Sequence, residues 1–244
     1  MKEALLLGAT SGLARALALR LAAEGWGLTL AARDAIALER LVADITLRGN
    51  TAHVRSVPFD ALNFNRLPEF VATLPVPPDA VYCIFGYSGD PVRAETDLEE
   101  RRRILDTNYT AAVHVLEPLA AGLAARGGGL IVGISSVAGE RGRSTNAFYT
   151  SAKAGFTAYL SGLRGRMLSK GVHVMTVKPG FLRTRMTDGM ELPRLLTASP
   201  DVAAARIVRA ANRRRDELYV LCVWRVIMAI LRAIPERIFK RMSI

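Results

Sequence analysis

With 244 residues, half of them apolar, the chain is long enough to bury one core of α/β size, and its two cysteines, Cys83 and Cys222, exclude a disulfide framework. The formal charge of +11 is uneven: residues 206–244 hold ten Lys or Arg against three acids, +7 of the total, so an anionic partner is expected. No helix-turn-helix, zinc spacing or aromatic–basic interleaving accompanies that charge, and no stretch has the length of a clean transmembrane helix, which sets aside nucleic acid, a metal centre and a membrane span.

The opening Met1-Lys-Glu-Ala-Leu-Leu-Leu7 breaks at Gly8 and carries an acid, so it reads as a strand over 4–7 rather than a signal peptide. Gly8-Ala-Thr10-Ser11-Gly12-Leu13-Ala14 follows, then an Ala/Leu-rich helix to about residue 24. Strand, glycine turn and helix in that order make a phosphate-binding site: the glycines let backbone approach a pyrophosphate, and the helix N-terminus offers N–H donors and a favourable dipole. A second strand over 27–32 ends on Arg33. A guanidinium there can clasp the 2′-phosphate of NADP, where an acid would bind the ribose hydroxyls of NAD, so NADP is favoured over NAD. Asp34, next to it, is the residue most easily mistaken for a ribose acid.

A helix over about 36–48 and a strand over 53–59 lead to Asp60-Ala61, near which a fold of this kind lays the adenine. The strand over 80–85 holds Cys83, read as a buried reduced thiol in a reducing, cytoplasmic compartment, and ends at Gly86-Tyr-Ser-Gly89, small enough for a ribose to approach. A charged helix from about 95 continues through Asn108 to about 126; an asparagine in mid-helix marks either a kink or a functional amide. Gly128-Gly129 turns into a strand over 130–135 that delivers Ser136 at its C-terminal end.

Tyr149 then opens a helix to about 169, with Lys153 four residues on and therefore on the same face. A free phenol titrates near ~10; an ammonium beside it stabilises the phenolate and makes Tyr149 a general acid or base at neutral pH. A hydroxyl at Ser136 can hold a substrate carbonyl oxygen while Tyr149 protonates it, and a cofactor must supply the hydride. A strand over 172–177 runs into Lys178-Pro179-Gly180-Phe-Leu182-Arg-Thr184, a flap over 185–199 is lined by Met186, Met190, Leu192, Leu195 and Leu196, a helix starts at Pro200-Asp201, and a last strand covers 218–221. Repeated strand–helix alternation predicts one doubly wound parallel sheet, a Rossmann fold, over 1–222.

Gly8-x-x-x-Gly12-x-Ala14, Asn108, Ser136, Tyr149-x-x-x-Lys153 and Pro179-Gly180-x-x-x-Thr184 together resemble the short-chain dehydrogenase/reductase family, from about residue 4 to 220. The resemblance implies an NADP(H)-dependent oxidoreductase with an Asn108-Ser136-Tyr149-Lys153 tetrad. Lys153 would lower the phenol's pKa and hold the nicotinamide ribose, and Asn108 would anchor a water relay behind it. It also implies cofactor contacts from Gly8, Thr10, Ser11, Gly12, Leu13, Arg33, Asp60, Ala61, Gly86, Pro179, Gly180, Leu182 and Thr184, and pairing of subunits into a homo-oligomer through the Tyr149 helix. Two departures stand out: Ala14 replaces a third glycine, and Phe85-Gly86-Tyr87 replaces the usual Asn-Asn-Ala-Gly. More narrowly, Ser135 to Arg143, the 178–187 run and the basic apolar tail look like reductases of polyprenyl-phosphate-linked 2-keto sugars.

The tail over 223–244 reads as an amphipathic helix with Trp224, Ile227, Met228, Leu231 and Ile234 on one stripe and a basic finish. Two uses fit it: an interfacial helix on an anionic membrane, which would make the protein peripheral and suit a lipid-linked substrate, or a helix packed on protein. Two functions follow: a carbonyl reductase for an apolar or lipid-linked ketone, or a cofactor-bound scaffold or regulator docking through its basic end.

Overall fold

The structure, a computed structural model, describes residues 1–48, 53–184, 187–189 and 191–242. Seven parallel strands form one sheet: β1 (Glu3–Leu7), β2 (Gly27–Ala32), β3 (Val54–Pro58), β4 (Ala80–Cys83), β5 (Gly129–Ile134), β6 (Val172–Lys178) and, after the short parallel pair β7 (Phe181–Leu182) and β8 (Thr197–Ala198), β9 (Glu217–Tyr219). Their order is β3-β2-β1-β4-β5-β6-β9, so the chain reverses direction across the sheet between β1 and β4. Open α/β sheets bind ligands at that switch point, outside the carboxyl ends of the strands.

Each strand alternates its side chains between two helical layers. Ala4 and Leu6 of β1 face a core shared with α1 (Gly12–Ala23), α2 (Ala35–Arg48) and α8 (Pro200–Asn212), whereas Leu5 and Leu7 face α6 (Ala111–Ala125) and α7 (Ala147–Met167). Burial on both faces explains why β1 is apolar from Ala4 to Leu7 and β2 is polar only at Thr29, the mark of a covered parallel sheet. Ala14 is fully buried in the core that α1 shares with its close neighbour α8, so the third small position serves packing and alanine suffices.

Two boundaries depart from the sequence expectation. β4 stops at Cys83 because the N–H groups of Ile84 and Phe85 both turn onto the Leu7 carbonyl, at 2.9 and 3.2 Å. The single charged helix expected from 95 to 126 is three pieces: α4 (Pro91–Thr96), α5 (Leu98–Leu105) and α6, with α3 (Leu67–Ala72) earlier in the chain. Asp90 and Asp97 each accept two backbone N–H bonds at a helix start, which resets the chain between α4 and α5, and a π-helical turn over Asp106–Thr110 separates α5 from α6.

The tail forms α9 (Val223–Ala233) and, past Pro235, the short α10 (Glu236–Phe239). Of the two uses open to the stripe, packing on protein is the one observed: Trp224 and Met228 are buried with Val137, and Ile227 and Leu231 lie against them. A second apolar face points out, with Val226 and Ile230 each 61 % exposed beside Val223, between cations at 225 and 232. Among the described residues no helix is long and apolar enough to cross a membrane.

Candidate active site

The turn after β1 is shaped by sterics. Gly8 has φ +87°, and a Cβ there would stand 2.7 Å from the Phe85 nitrogen, so glycine is required on both counts. Ser11 caps α1, its Oγ accepting from the Ala14 N–H at 3.1 Å. The N–H groups of Thr10, Gly12 and Leu13 find no acceptor among the described residues, while the Leu13 side chain sits in the core. Beside Gly12 the nearest atoms to an added Cβ are Pro200 and the Thr184 methyl, at 3.7 and 3.9 Å. Free donors, an open approach and a helix dipole are what a pyrophosphate needs, so these residues fit the dinucleotide that the motif implies.

At the far side of this turn lies a hollow of about 470 Å³ bounded by Thr10, Arg15, Asp34, Arg40 and Asp44. Asp34 caps α2 by accepting from the Ala37 N–H at 2.9 Å, which gives it a structural occupation other than ribose binding. Arg15 is held by Asp44 at 2.6 Å, and that carboxyl, flanked by Arg48 and Arg15, lies below the usual range for an aspartate. Arg33 is exposed at the end of β2 rather than in the lining of the hollow, and Arg40, one and a half turns into α2, faces it instead. Arg40 went unnoticed in the sequence because no motif marks it; only the placement of α2 does. Asp60 and Ala61 follow β3, the strand beside β2, with Asp60 accepting from the Leu62 N–H at 3.1 Å.

The chemical groups converge from three strand ends. Ser136 follows β5, and its Oγ accepts from the Ala138 N–H at 3.1 Å. The Ser135 N–H donates to Val177 O at 2.8 Å and the Val137 N–H to Pro179 O at 3.0 Å, tying this turn to the loop after β6. Ser135 Oγ donates to Lys153 O at 3.0 Å and meets Thr157 Oγ1 at 2.6 Å, which ties it to α7. Gly139 closes the gap: a Cβ there would lie 2.7 Å from the Lys153 carbonyl carbon, so the Ser136 turn rests directly on the α7 backbone. Ser135 and Gly139 are thus positioning residues that the sequence reading left without a role.

Tyr149 and Lys153 share one face of α7, as their spacing requires. Lys153 is 4 % exposed; its Nζ donates to Ile134 O at 3.1 Å and lies 5.8 Å from the centre of the Tyr149 ring. Burial lowers its pKa to about 8. Burial raises the Tyr149 phenol above the usual ~10, with the Ser136 hydroxyl and the charge of Arg143 pulling it down.

Asn108 is buried in the π turn, so the irregularity its mid-helix position suggested is present, and its amide is engaged by backbone. Its Nδ2 donates to Ile104 O at 2.8 Å and to Tyr87 O at 2.6 Å, and its Oδ1 accepts from the Tyr87 N–H at 3.2 Å. Gly86 sits between it and the lysine, since a Cβ there would stand 3.1 Å from Asn108 Oδ1 and 3.4 Å from Lys153 Nζ. The Phe85-Gly86-Tyr87 departure is therefore accommodated through backbone bonds that ask only for the glycine. Beyond Gly180, β7 carries Leu182 to Thr184, beside Gly12. In the flap Leu192 and Thr184 border a second hollow of about 350 Å³, and Leu196 packs on α9. Leu195 is 90 % exposed, contrary to its expected lining role, and Met186 and Met190 lie outside the described residues.

Comparison with known proteins bears on the family and the fold. Residues 2–193 match the family described as short chain dehydrogenase. An uncharacterized oxidoreductase of Streptomyces coelicolor is 36% identical over 249 aligned positions, covering 100% of this chain and 96% of that one. Another, from Mycobacterium tuberculosis, is 36% identical over 240 positions, covering 97% and 95%. Among solved structures, one described as a short chain dehydrogenase/reductase family protein superposes with a TM-score of 0.79 at 28% identity, covering 89% of this chain and 94% of that one. Actinorhodin polyketide ketoreductase with NADPH does so at 0.79 and 23%, covering 90% and 95%. With the glycine turn after β1, with Ser136, Tyr149 and Lys153 gathered beyond β5, two strands along, and with relatives matching almost end to end, the chain belongs to the short-chain dehydrogenase/reductase family of oxidoreductases.

Proposed function

We propose that this oxidoreductase is an NADPH-dependent carbonyl reductase. The observation that carries the reading is the meeting of Ser136, Tyr149 and Lys153 at the carboxyl ends of the central strands, next to a glycine turn with unused N–H donors. The dinucleotide, when bound, supplies the hydride that adds to the carbonyl carbon. The N–H groups of Thr10, Gly12 and Leu13 would hold its pyrophosphate. Arg40 lining the hollow beyond that turn, with the exposed Arg33 next in sequence to the lining residue Asp34, supports a 2′-phosphate and hence NADP over NAD. The chain's own residues handle the oxygen: Ser136 Oγ–H donates a hydrogen bond to it, and the Tyr149 phenol transfers its proton to it as the C=O bond becomes C–O–H. A phenol raised by burial is fully protonated at neutral pH, the state needed for reduction.

The substrate is read as an apolar or lipid-linked ketone, supported by Leu192 at the second hollow and by the outward apolar face of α9 with its neighbouring cations, which suits an anionic lipid surface. The scaffold alternative explains neither the buried Lys153 nor the Ser136–Tyr149 pairing.

The test is NADPH oxidation against a panel of ketones, with NADH alongside, and with Tyr149→Phe as control. Loss of the phenolic proton is expected to lower kcat by roughly 10²- to 10⁴-fold while the NADPH-induced rise in Tm persists. Full activity in Tyr149→Phe, or no Tm response to either nucleotide, overturns the reading.

A further inference from the structure

Two arginines two residues apart in the loop between Ser136 and α7 have opposite surroundings. Arg141 is fully engaged: its guanidinium donates to Leu231 O and Arg232 O at 3.4 and 3.1 Å, pairs with Glu236 at 2.7 Å and lies 4.1 Å over the Phe239 ring. The Arg143 guanidinium has no hydrogen-bond or ion-pair partner among the described residues, although the residue is half-buried and its carbonyl accepts from the Asn146 N–H at 3.3 Å. Its charge and the Tyr149 phenol act on one another, so the two groups lie near each other. Arg143 caps the turn Ser144–Asn146 that leads into α7, and on that turn Asn146 Oδ1 is buried without a donor. An unpaired half-buried cation and an acceptor without a donor, three residues apart in the segment that leads to the proton donor, together have the chemistry to recognise an anion that carries a neighbouring hydroxyl or N–H.

We propose that the substrate carries an anionic group, carboxylate or phosphate, close to its reacting carbonyl, and that Arg143 grips it while Asn146 Oδ1 accepts from a neighbouring hydroxyl or N–H. This rests on the reductase reading and narrows its substrate class. Leaving a guanidinium half-desolvated and unpaired is costly, and a planar anion relieves that cost through paired N–H···O bonds that a lysine cannot reproduce. Burial holds the Arg143 pKa below its usual value, as expected of a cation awaiting a counter-charge. The anion takes no part in bond making; it orients the carbonyl toward Ser136 and Tyr149.

The experiment uses matched probes with NADPH: acetoacetate against ethyl acetoacetate for a carboxylate, and dihydroxyacetone phosphate against dihydroxyacetone for a phosphate. The full chain is expected to prefer at least one anionic probe by roughly tenfold to a hundredfold in kcat/KM, mostly through KM. Arg143→Met should erase that preference while leaving the neutral probe of the pair within a few-fold, and Arg143→Lys should restore only part of it. The pair that shows the effect distinguishes carboxylate from phosphate. Equal loss on charged and neutral probes, or no preference in the parent, overturns the proposal while leaving the reductase reading intact. If none of the four probes is reduced, calorimetric titration of acetoacetate and dihydroxyacetone phosphate into the NADP⁺-saturated protein decides. Saturable binding lost in Arg143→Met supports the anion site, and no binding sinks it; failure of the reductase reading would show separately, as no nucleotide response.

Discussion

A lysine sealed against the Ile134 carbonyl at 4 % exposure is a titrating group whose energetics the sequence conceals. The Tyr149-x-x-x-Lys153 spacing states that the two side chains share a helix face, and they do. It does not state how dry that face is, because dryness comes from the ends of β4 and β5 and the glycine at 86, brought in from elsewhere in the chain. Lys153 titrates at about 8 in the folded protein and near ~10.4 in the unfolded chain. Between those values the unfolded state binds more protons, so the lysine's contribution makes stability rise with pH through that window. Below about 8 the folded protein carries the cost of a buried charge, about 3 kcal/mol by that displacement. Lys153→Met removes that cost and loses one hydrogen bond of about 1 kcal/mol. The variant is therefore expected to be more stable than the parent at pH 7 by about 2 kcal/mol, with the advantage shrinking toward pH 10. Urea midpoints of both proteins at pH 7 and pH 10 check this, and a difference independent of pH would refute it.

At the scale of elements, α9 is a wall of the site rather than an appendage. A Cβ on Gly180 would fall 1.9 Å from Trp224 Nε1, and that nitrogen donates to Leu196 O at 3.0 Å, so one indole fixes both the loop after β6 and the end of the flap. Glu140 reinforces the join: Lys178 pairs with it at 3.1 Å and with Glu217 at 3.2 Å, and Tyr219 Oη–H donates to it. Trp224→Ala is expected to cost about 3–5 kcal/mol, and Gly180→Ala about 1–3 kcal/mol by forcing the ring aside. In the Trp224→Ala background the Gly180→Ala cost should largely vanish, a coupling of about 1 kcal/mol or more readable from denaturant unfolding of the four proteins. Simple addition of the two costs would mean the indole does not anchor Gly180. The periodicity of Trp224, Ile227, Met228 and Leu231 announces an apolar face, yet periodicity has no sign: it cannot say whether lipid or Gly180 and Val137 lie opposite. The same limit hid the breaks at Asp97 and Asp106. Caps are local and visible, but a π turn held by Asn108 depends on Tyr87, 21 residues away in the chain.

For the molecule as a whole, the succession of strands in one parallel, doubly wound sheet was accessible from the chain because each strand ends on its own punctuation: Gly8, Arg33, Asp60, Gly86, Ser136 and Pro179 all stand at carboxyl ends on one side of the sheet. Side-chain partnerships across that row, such as the occupation of Asp34 by α2 or the freedom of Arg143, came only with the packing. The excess of positive charge has the same character, since a sum of +11 says nothing of where an anion meets it. The fold sets part of it around the outward face of α9, where Val223, Val226 and Ile230 are exposed in a segment with cations at 225, 232, 237, 240 and 241, opposed by Glu236 and, 3.8 Å from Arg232, by Glu140. A second copy meeting this face by symmetry would bring like charges together, whereas an anionic lipid surface gains about 1 kcal/mol per cation and buries the valines and isoleucine. The protein is therefore expected to co-sediment with vesicles rich in anionic phospholipid and not with zwitterionic ones, and to be released as salt screens the attraction. Val226→Asp with Ile230→Asp, both on exposed positions, should abolish sedimentation while leaving Tm and NADPH oxidation unchanged. Binding that ignores lipid charge, or that survives the paired substitution, would show that this face meets something other than a membrane.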